Sequence, residues 1–340
     1  MSFASDNWSG ICPEAWDALA DANRGHAPAY GGDQWTAAAV AEIRKLFDTD
    51  CEVFFVYTGT AANSLGVAAM ARNSDAVICS NNAHILVDEC GAPGFFSGGA
   101  TLLPAQTPDA KLTVEMIDRL AVTPHDVHSS RPKVVALTQS TELGTVYAPA
   151  EMRAIADFAH GRGMRVHVDG ARFANAVASL GCAPADIAWR AGVDVLSLGG
   201  TKNGLPFGEA VVFFDRALAE EFGRRRMQGG QLASKMRYLA APWLGVLRSG
   251  AWLRYAAHAN AMARRLASAL EAVPGTRLLA KVQANGVFID VPLPAIAALR
   301  GRGWPFYEFV GDTGIRLMCS WDTTPEVVDA FAADFRAILT

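Results

Sequence analysis

Residues 53–71 read VFFVYTGTAANSLGVAAMA, and how this stretch is taken decides the fold. It runs nineteen residues without a formal charge, close to the length that spans a bilayer. Its centre, however, holds Thr58, Gly59, Thr60, Asn63 and Ser64, which an apolar span would not place there. The first five residues are β-branched or aromatic and the last part is alanine-rich, so the stretch reads as strand, turn and helix. A strand feeding a helix is the first half of a parallel crossover, which predicts a layered α/β protein and no membrane partner.

Outward from it, between residues 52 and 215, short apolar runs keep alternating with alanine-rich or amphipathic segments. Seven strands are predicted, at 53–57, 76–79, 101–104, 133–138, 165–169, 194–198 and 209–214. Several are almost wholly apolar, as strands covered on both faces are, so the sheet is expected between helices. Helices are signalled at 113–120 and 149–160; in the second, Pro149 suits a first helical position and Glu151 complements the positive end. Helix formers dominate 217–273. From about residue 274, short strands (277–279, 286–291, 314–319) alternate with helices (294–301, 325–339), the pattern of a small α+β unit.

The chain has 340 residues, 51% hydrophobic and 19% charged, the opposite of the signature of disordered chains. That length predicts about two domains. Thirty Lys and Arg against thirty-four Asp and Glu leave a net charge of −4, which offers no field for gripping a polyphosphate, so no nucleic-acid partner is expected. Cys12, Cys51, Cys79, Cys90, Cys182 and Cys319 contain no C-x-x-C pair, so reduced, mostly buried thiols are expected. MSFASDNWSG at the start has no basic region followed by an apolar run, so no secretory leader and a cytoplasmic location are expected.

Three segments carry the chemistry. In RVHVDGAR (165–172) an apolar strand delivers Asp169 to its C-terminal end, where a ligand crevice belongs in open α/β sheets; as a purely structural residue it would cap the following helix. In SLGGTKNG (197–204) Lys202 lies beyond another strand in a glycine-rich loop with no acidic neighbour before Glu209. A desolvated lysine there has a lowered pKa and can act as an amine nucleophile. TGTAAN (58–63) starts a helix with small residues, a cradle for one phosphate that lacks the lysine of a nucleotide P-loop. Lysine, carboxylate and cradle together meet the demands of pyridoxal 5′-phosphate: an imine to its aldehyde, a partner for its pyridine nitrogen and an anchor for its phosphate.

These segments, with SDNWSG (5–10), AYGGD (29–33) and IRLMCSW (315–321), resemble the L-threonine aldolases of the aspartate-aminotransferase-like superfamily (fold type I) over nearly the whole chain. The similarity is greatest to the low-specificity bacterial branch that also cleaves β-phenylserine. It implies a large domain (31–245) with a mostly parallel seven-stranded sheet, a small α+β C-terminal domain (246–340), and an N-terminal segment (1–30) that contributes to the active site. The expected reaction is retro-aldol cleavage of L-threonine, L-allo-threonine or L-phenylserine to glycine and an aldehyde.

By motif, Lys202 resembles the imine-forming lysine, Asp169 the partner of the pyridine nitrogen, and Gly59 and Thr60 part of the phosphate site. Arg172 resembles an arginine near ring and substrate, His84 a histidine stacked on the ring, and His128 a second pocket histidine. Arg316 matches the receiver of the substrate carboxylate, with Ser9 as its polar partner. Tyr30, Gly31 and Gly32 look like a loop reaching a neighbouring subunit, with Lys235 and Arg237 near the phosphate across that interface, which implies a homodimer or homotetramer. His84, His128 or a water held by one of them is expected to take the β-hydroxyl proton. Thr201 replaces the usual serine, and QSTELG (139–144) departs from the usual segment near the ring hydroxyl; within it Glu142 either contacts substrate or faces solvent, and the solvent reading is preferred. No metal is expected, since His125 and His128 near Asp126 lack any accompanying ligand motif. A β-eliminating lyase or aminotransferase, and a non-catalytic scaffold, are the rival readings.

Overall fold

The computed structural model describes residues 2–122 and 127–339. Seven strands form the main sheet: β1 (Glu52–Val56), β2 (Asp75–Ser80), β3 (Thr101–Ala105), β4 (Arg131–Thr138), β5 (Arg165–Gly170), β6 (Val195–Leu198) and β7 (Glu209–Phe213). Their order is β1-β7-β6-β5-β4-β2-β3, and only β7 runs antiparallel to its neighbours. The seven predicted strands are therefore all present, each within two residues of its expected ends. β2, β6 and β7 are buried along their whole length, which is why their sequences are continuous apolar runs instead of alternating ones.

The ambiguous stretch 53–71 divides into β1 and a helix, Gly59–Met70, because Thr58 caps it: its side chain accepts the Ala61 N–H at 3.2 Å. That helix lies over β5 and β6; a Cβ on its Gly66 would stand 3.3 Å from His167 Nε2. The parallel register pairs Thr138 with Asp169 and Asp169 with Ser197, so the C-terminal ends of β4, β5 and β6 are level. Two glycines let those ends approach: a Cβ on Gly170 would lie 2.7 Å from the Ser197 carbonyl oxygen, and one on Gly199 would lie 2.6 Å from Ala171 Cα. Any side chain at either position would push the Asp169 and Lys202 segments apart.

A second, antiparallel sheet follows: β8 (Arg277–Leu278), β9 (Gly286–Asp290), β10 (Tyr307–Val310) and β11 (Gly314–Met318), in the order β10-β11-β9-β8. β10 escaped the sequence reading because it is an exposed edge strand with no apolar alternation to announce it. The long Ala251–Glu271 helix joins the two cores, packing Trp252 and Ala256 into the first and Leu266 and Leu270 into the second. The N-terminal segment crosses between them. The Met318 N–H donates to the Phe3 carbonyl at 2.8 Å, and the Cys12 N–H donates to the Gly204 carbonyl at 2.8 Å, just beyond Lys202. No helix is long and apolar enough to cross a membrane among the described residues.

Candidate active site

A cleft opens at the C-terminal edge of the main sheet and has two chambers that share His84 and Lys202. The inner chamber is lined by Gly59, Asn63, Asp169, Ala171 and Ser197. Asp169 meets two donors there: Oδ1 accepts the Ala171 N–H at 2.9 Å and Oδ2 accepts Asn63 Nδ2–H at 2.9 Å. Asn63 Nδ2 also donates to Glu89 Oε1 at 2.8 Å, and that oxygen lies 2.9 Å from His84 Nδ1. The buried carboxylates are thus bridged by an amide, whose hydrogens occupy the space that a cation shared by His84, Glu89 and Asp169 would need. The hydrogen bond to Glu89 raises the His84 pKa, against the opposing effect of burial.

Lys202 sits in a turn of Thr201–Asn203 that Glu209 of β7 braces through the Gly200 N–H and the Thr201 hydroxyl. A threonine in place of serine therefore keeps the bracing hydroxyl. Burial lowers the Lys202 pKa, and the neighbouring Arg172 guanidinium lowers it further, opposed by Asp6, Asp169 and Glu209.

The outer chamber is lined by Ser5, Asn82, Glu142, Arg172, Phe309 and Arg316. Arg172 is tied by a two-pronged ion pair to the fully buried Asp6, with Nε–Oδ2 at 2.7 Å and Nη2–Oδ1 at 3.0 Å. Burial pushes the Asp6 carboxyl up, but Arg172, Lys202 and Asn285 outweigh it and hold the pKa at about 2. Arg316 lies between the rings of Tyr307 and Phe309, 5.2 and 5.0 Å from their centroids, and donates from Nη2 to the Ala4 carbonyl at 3.2 Å. Its buried Nε has no hydrogen-bond partner.

Of the residues singled out in the sequence, Gly59, His84, Asp169, Arg172, Lys202 and Arg316 line this cleft, with Thr60 next to Gly59 at the helix start. Ser9 is not among them: its hydroxyl donates to the Asp6 carbonyl at 3.0 Å and it lines an adjoining groove, whereas Ser5, four residues earlier, lines both that groove and the chamber that holds Arg316. Nor is His128. It precedes β4 by three residues, at the strand's N-terminal end, and three residues reach only about 10 Å against the roughly 25 Å length of an eight-residue strand. Tyr30 and Lys235 are exposed on one loop pair, where the Tyr30 N–H donates to the Ser234 carbonyl at 3.0 Å, outside this chain's cleft. His125 and Asp126 lie outside the described residues. Glu142 is corrected as well: its side chain is enclosed in the cleft and does not face solvent. Asp6, Asn63 and Glu89 went unrecognised, although Asp6 and Asn63 stand inside the motifs SDNWSG and TGTAAN.

These residues fit pyridoxal 5′-phosphate. The Gly59 and Thr60 N–H groups have no partner within the first helical turn, and a Cβ on Gly59 would meet no protein atom within 4 Å, so a phosphate has both donors and room. Asp169 supplies a buried carboxylate, and Lys202 a buried amine of lowered pKa, on the same chamber. The comparisons agree. The family model for beta-eliminating lyases matches residues 2–293. A low specificity L-threonine aldolase of Pseudomonas aeruginosa is 58% identical over 339 residues, covering 100% of this chain and 98% of that one. A solved Leishmania major threonine aldolase superposes with a TM-score of 0.94 at 29% identity over 100% of this chain and 99% of its own. A Sphingomonas wittichii serine palmitoyltransferase, at 16% identity and a TM-score of 0.75 over 99% of this chain and 86% of its own, shares the fold. With its lysine, carboxylate and cradle on one sheet edge, the chain belongs to the beta-eliminating lyase family and, within it, to the L-threonine aldolases.

Proposed function

We propose that the chain cleaves L-β-hydroxy-α-amino acids between Cα and Cβ, releasing glycine and an aldehyde, with L-threonine, L-allo-threonine and L-phenylserine as substrates. The observation that carries this reading is the convergence of Lys202, Asp169 and the partner-free Nε of Arg316 on one cleft. Pyridoxal 5′-phosphate, held by Lys202, Asp169 and the Gly59–Thr60 cradle, supplies a conjugated ring that withdraws electrons from a bond at the substrate's Cα. The chain's own residues do the rest. Burial and Arg172 keep Lys202 more readily deprotonated than a surface lysine, so its amine is available as a nucleophile. Arg316, its plane fixed between two aromatic rings, offers a fork to the substrate carboxylate, with Ser5 beside it. Anchoring that carboxylate orients the Cα–Cβ bond, and orientation selects which bond breaks.

The same reading takes the exposed Tyr30 and Lys235, with His128, as groups that reach another copy's cleft in a homodimer or homotetramer. Two separate sheets support a division into 1–30, 31–245 and 246–340, and the reading places the enzyme in the cytoplasm. Incubating the protein, loaded with its cofactor, with the three substrates and assaying products tests the activity: glycine plus acetaldehyde or benzaldehyde is expected, whereas a keto acid with ammonia or amino-group exchange would replace this reading with the rival ones. Borohydride reduction followed by peptide mapping is expected to mark Lys202.

A further inference from the structure

The proton on the substrate's β-oxygen must leave for the aldehyde to form, and the polar groups of the cleft differ sharply in their freedom to take it. Asp169 is engaged on both oxygens. The imidazole of His84 is held through Nδ1 by Glu89, which raises its pKa against the effect of burial. Asp6 is engaged by Arg172 and Asn285. Glu142 is different. Its Oε1 is clamped by the His84 backbone N–H at 3.0 Å and by the Thr138 hydroxyl at 2.7 Å, yet its buried Oε2 has no hydrogen-bond partner in the protein. The residue lines the outer chamber with Arg172, Lys202 and Arg316, where the substrate's side chain must lie if Arg316 holds the carboxylate.

On the reading of the activity given above, we propose that Glu142 is the catalytic residue that accepts the β-hydroxyl proton through its unpartnered Oε2. The proton passes from the β-oxygen to the carboxylate, the O–H electron pair becomes the second C–O bond of the aldehyde, and the Cα–Cβ pair stays with the glycine carbon. That carbon gains a proton in the same turnover, so the overall reaction balances without an oxidant or reductant. Two further observations agree with the assignment. The clamp on Oε1 fixes the carboxyl on the short segment after β4, so Oε2 has a defined place. Burial pushes the Glu142 pKa up to about 7, the Thr138 hydroxyl opposing and Asp169 adding to the rise, so the group both accepts and releases a proton near neutrality. The other ionisable groups facing it are Cys79 of β2, Tyr147 and Arg172.

Glu142→Gln in the loaded enzyme separates this role from a structural one, because the amide oxygen still accepts from His84 and Thr138 while the group no longer takes a proton. Cleavage of L-threonine and L-phenylserine is compared with exchange of the glycine α-proton for deuterium, a reaction that uses the same cofactor site but has no β-hydroxyl. The ratio of cleavage to exchange is expected to fall on the order of 10²-fold or more, with the visible absorption of the bound cofactor unchanged and the limb of the pH–rate profile near neutrality lost. Glu142→Asp is expected to recover part of the ratio. An unchanged ratio would overturn the proposal, and so would equal loss of both reactions with a shifted absorption band, which would make Glu142 a holder of the cofactor. Should the wild-type enzyme exchange glycine yet cleave none of the substrates, the reading of the activity itself fails, and the proposal with it.

Discussion

The two chambers of the cleft are built on opposite plans. In the inner one every acid already has its partner: Asn63 bridges Asp169 and Glu89, Glu89 binds His84, and the Ala171 N–H completes Asp169. In the outer one two buried polar atoms, Glu142 Oε2 and Arg316 Nε, have none. A buried polar atom without a partner is costly unless a ligand completes it. The acids of the inner wall are therefore organised in advance for a resident group, with Asn63 Oδ1 left open beside them, and on the proposed reading the outer wall is completed by a visiting group that carries both a carboxylate and a hydroxyl.

That contrast is open to direct attack. Lys202→Ala removes the amine where the chambers meet and is expected to lower the rate of glycine release by on the order of 10³-fold or more while far-ultraviolet circular dichroism stays native; residual turnover near wild type would break the picture. Asp6→Asn leaves Arg172 buried beside Lys202 without its counter-charge, and about 3 kcal/mol of stability is expected to be lost in urea unfolding. The acid itself gives a pH test. Because the Asp6 pKa is about 2 in the fold against an ordinary 3.8 for a solvated aspartate, its contribution is present above pH 4 and fades as pH falls toward 2, a loss of roughly 2 kcal/mol in the wild type that the asparagine variant should not show.

Arg316→Lys keeps the charge but removes the fork and its stacking between Tyr307 and Phe309; kcat/KM is expected to fall about 10- to 100-fold, mostly through KM, and an effect on kcat alone would count against carboxylate binding. The smallest effect distinguishes two serines. Ser5→Ala should reduce kcat/KM severalfold, whereas Ser9→Ala, outside the cleft, should leave it within about twofold; the reverse order would restore the expectation read from the sequence.

The strands were legible because buried parallel strands are continuous apolar runs; Asp169 was legible because it closes such a run beside Gly170, and Lys202 because it follows another in a glycine-rich loop. β10 was not, since an exposed edge strand leaves no hydrophobic signature. The ion pair between Asp6 and Arg172 spans 166 positions, and nothing local to either residue announces it. Ser9 was named by its motif alone, and a motif names a segment without saying which of its side chains turns inward. His128 was drawn to the pocket by its motif alone, while β4 carries it to the far end of the sheet.

From its order of residues alone this chain declared a layered α/β architecture, the lysine, the carboxylate and the phosphate cradle, because each is written in a few consecutive positions governed by local backbone chemistry. Which acids pair with which bases, and which buried atoms of the cleft keep no protein partner, emerged only when β4, β5, β6 and the Gly59–Met70 helix came together. Hydrogen-bond satisfaction is a property of neighbours in space, and distance along the chain carries no record of it.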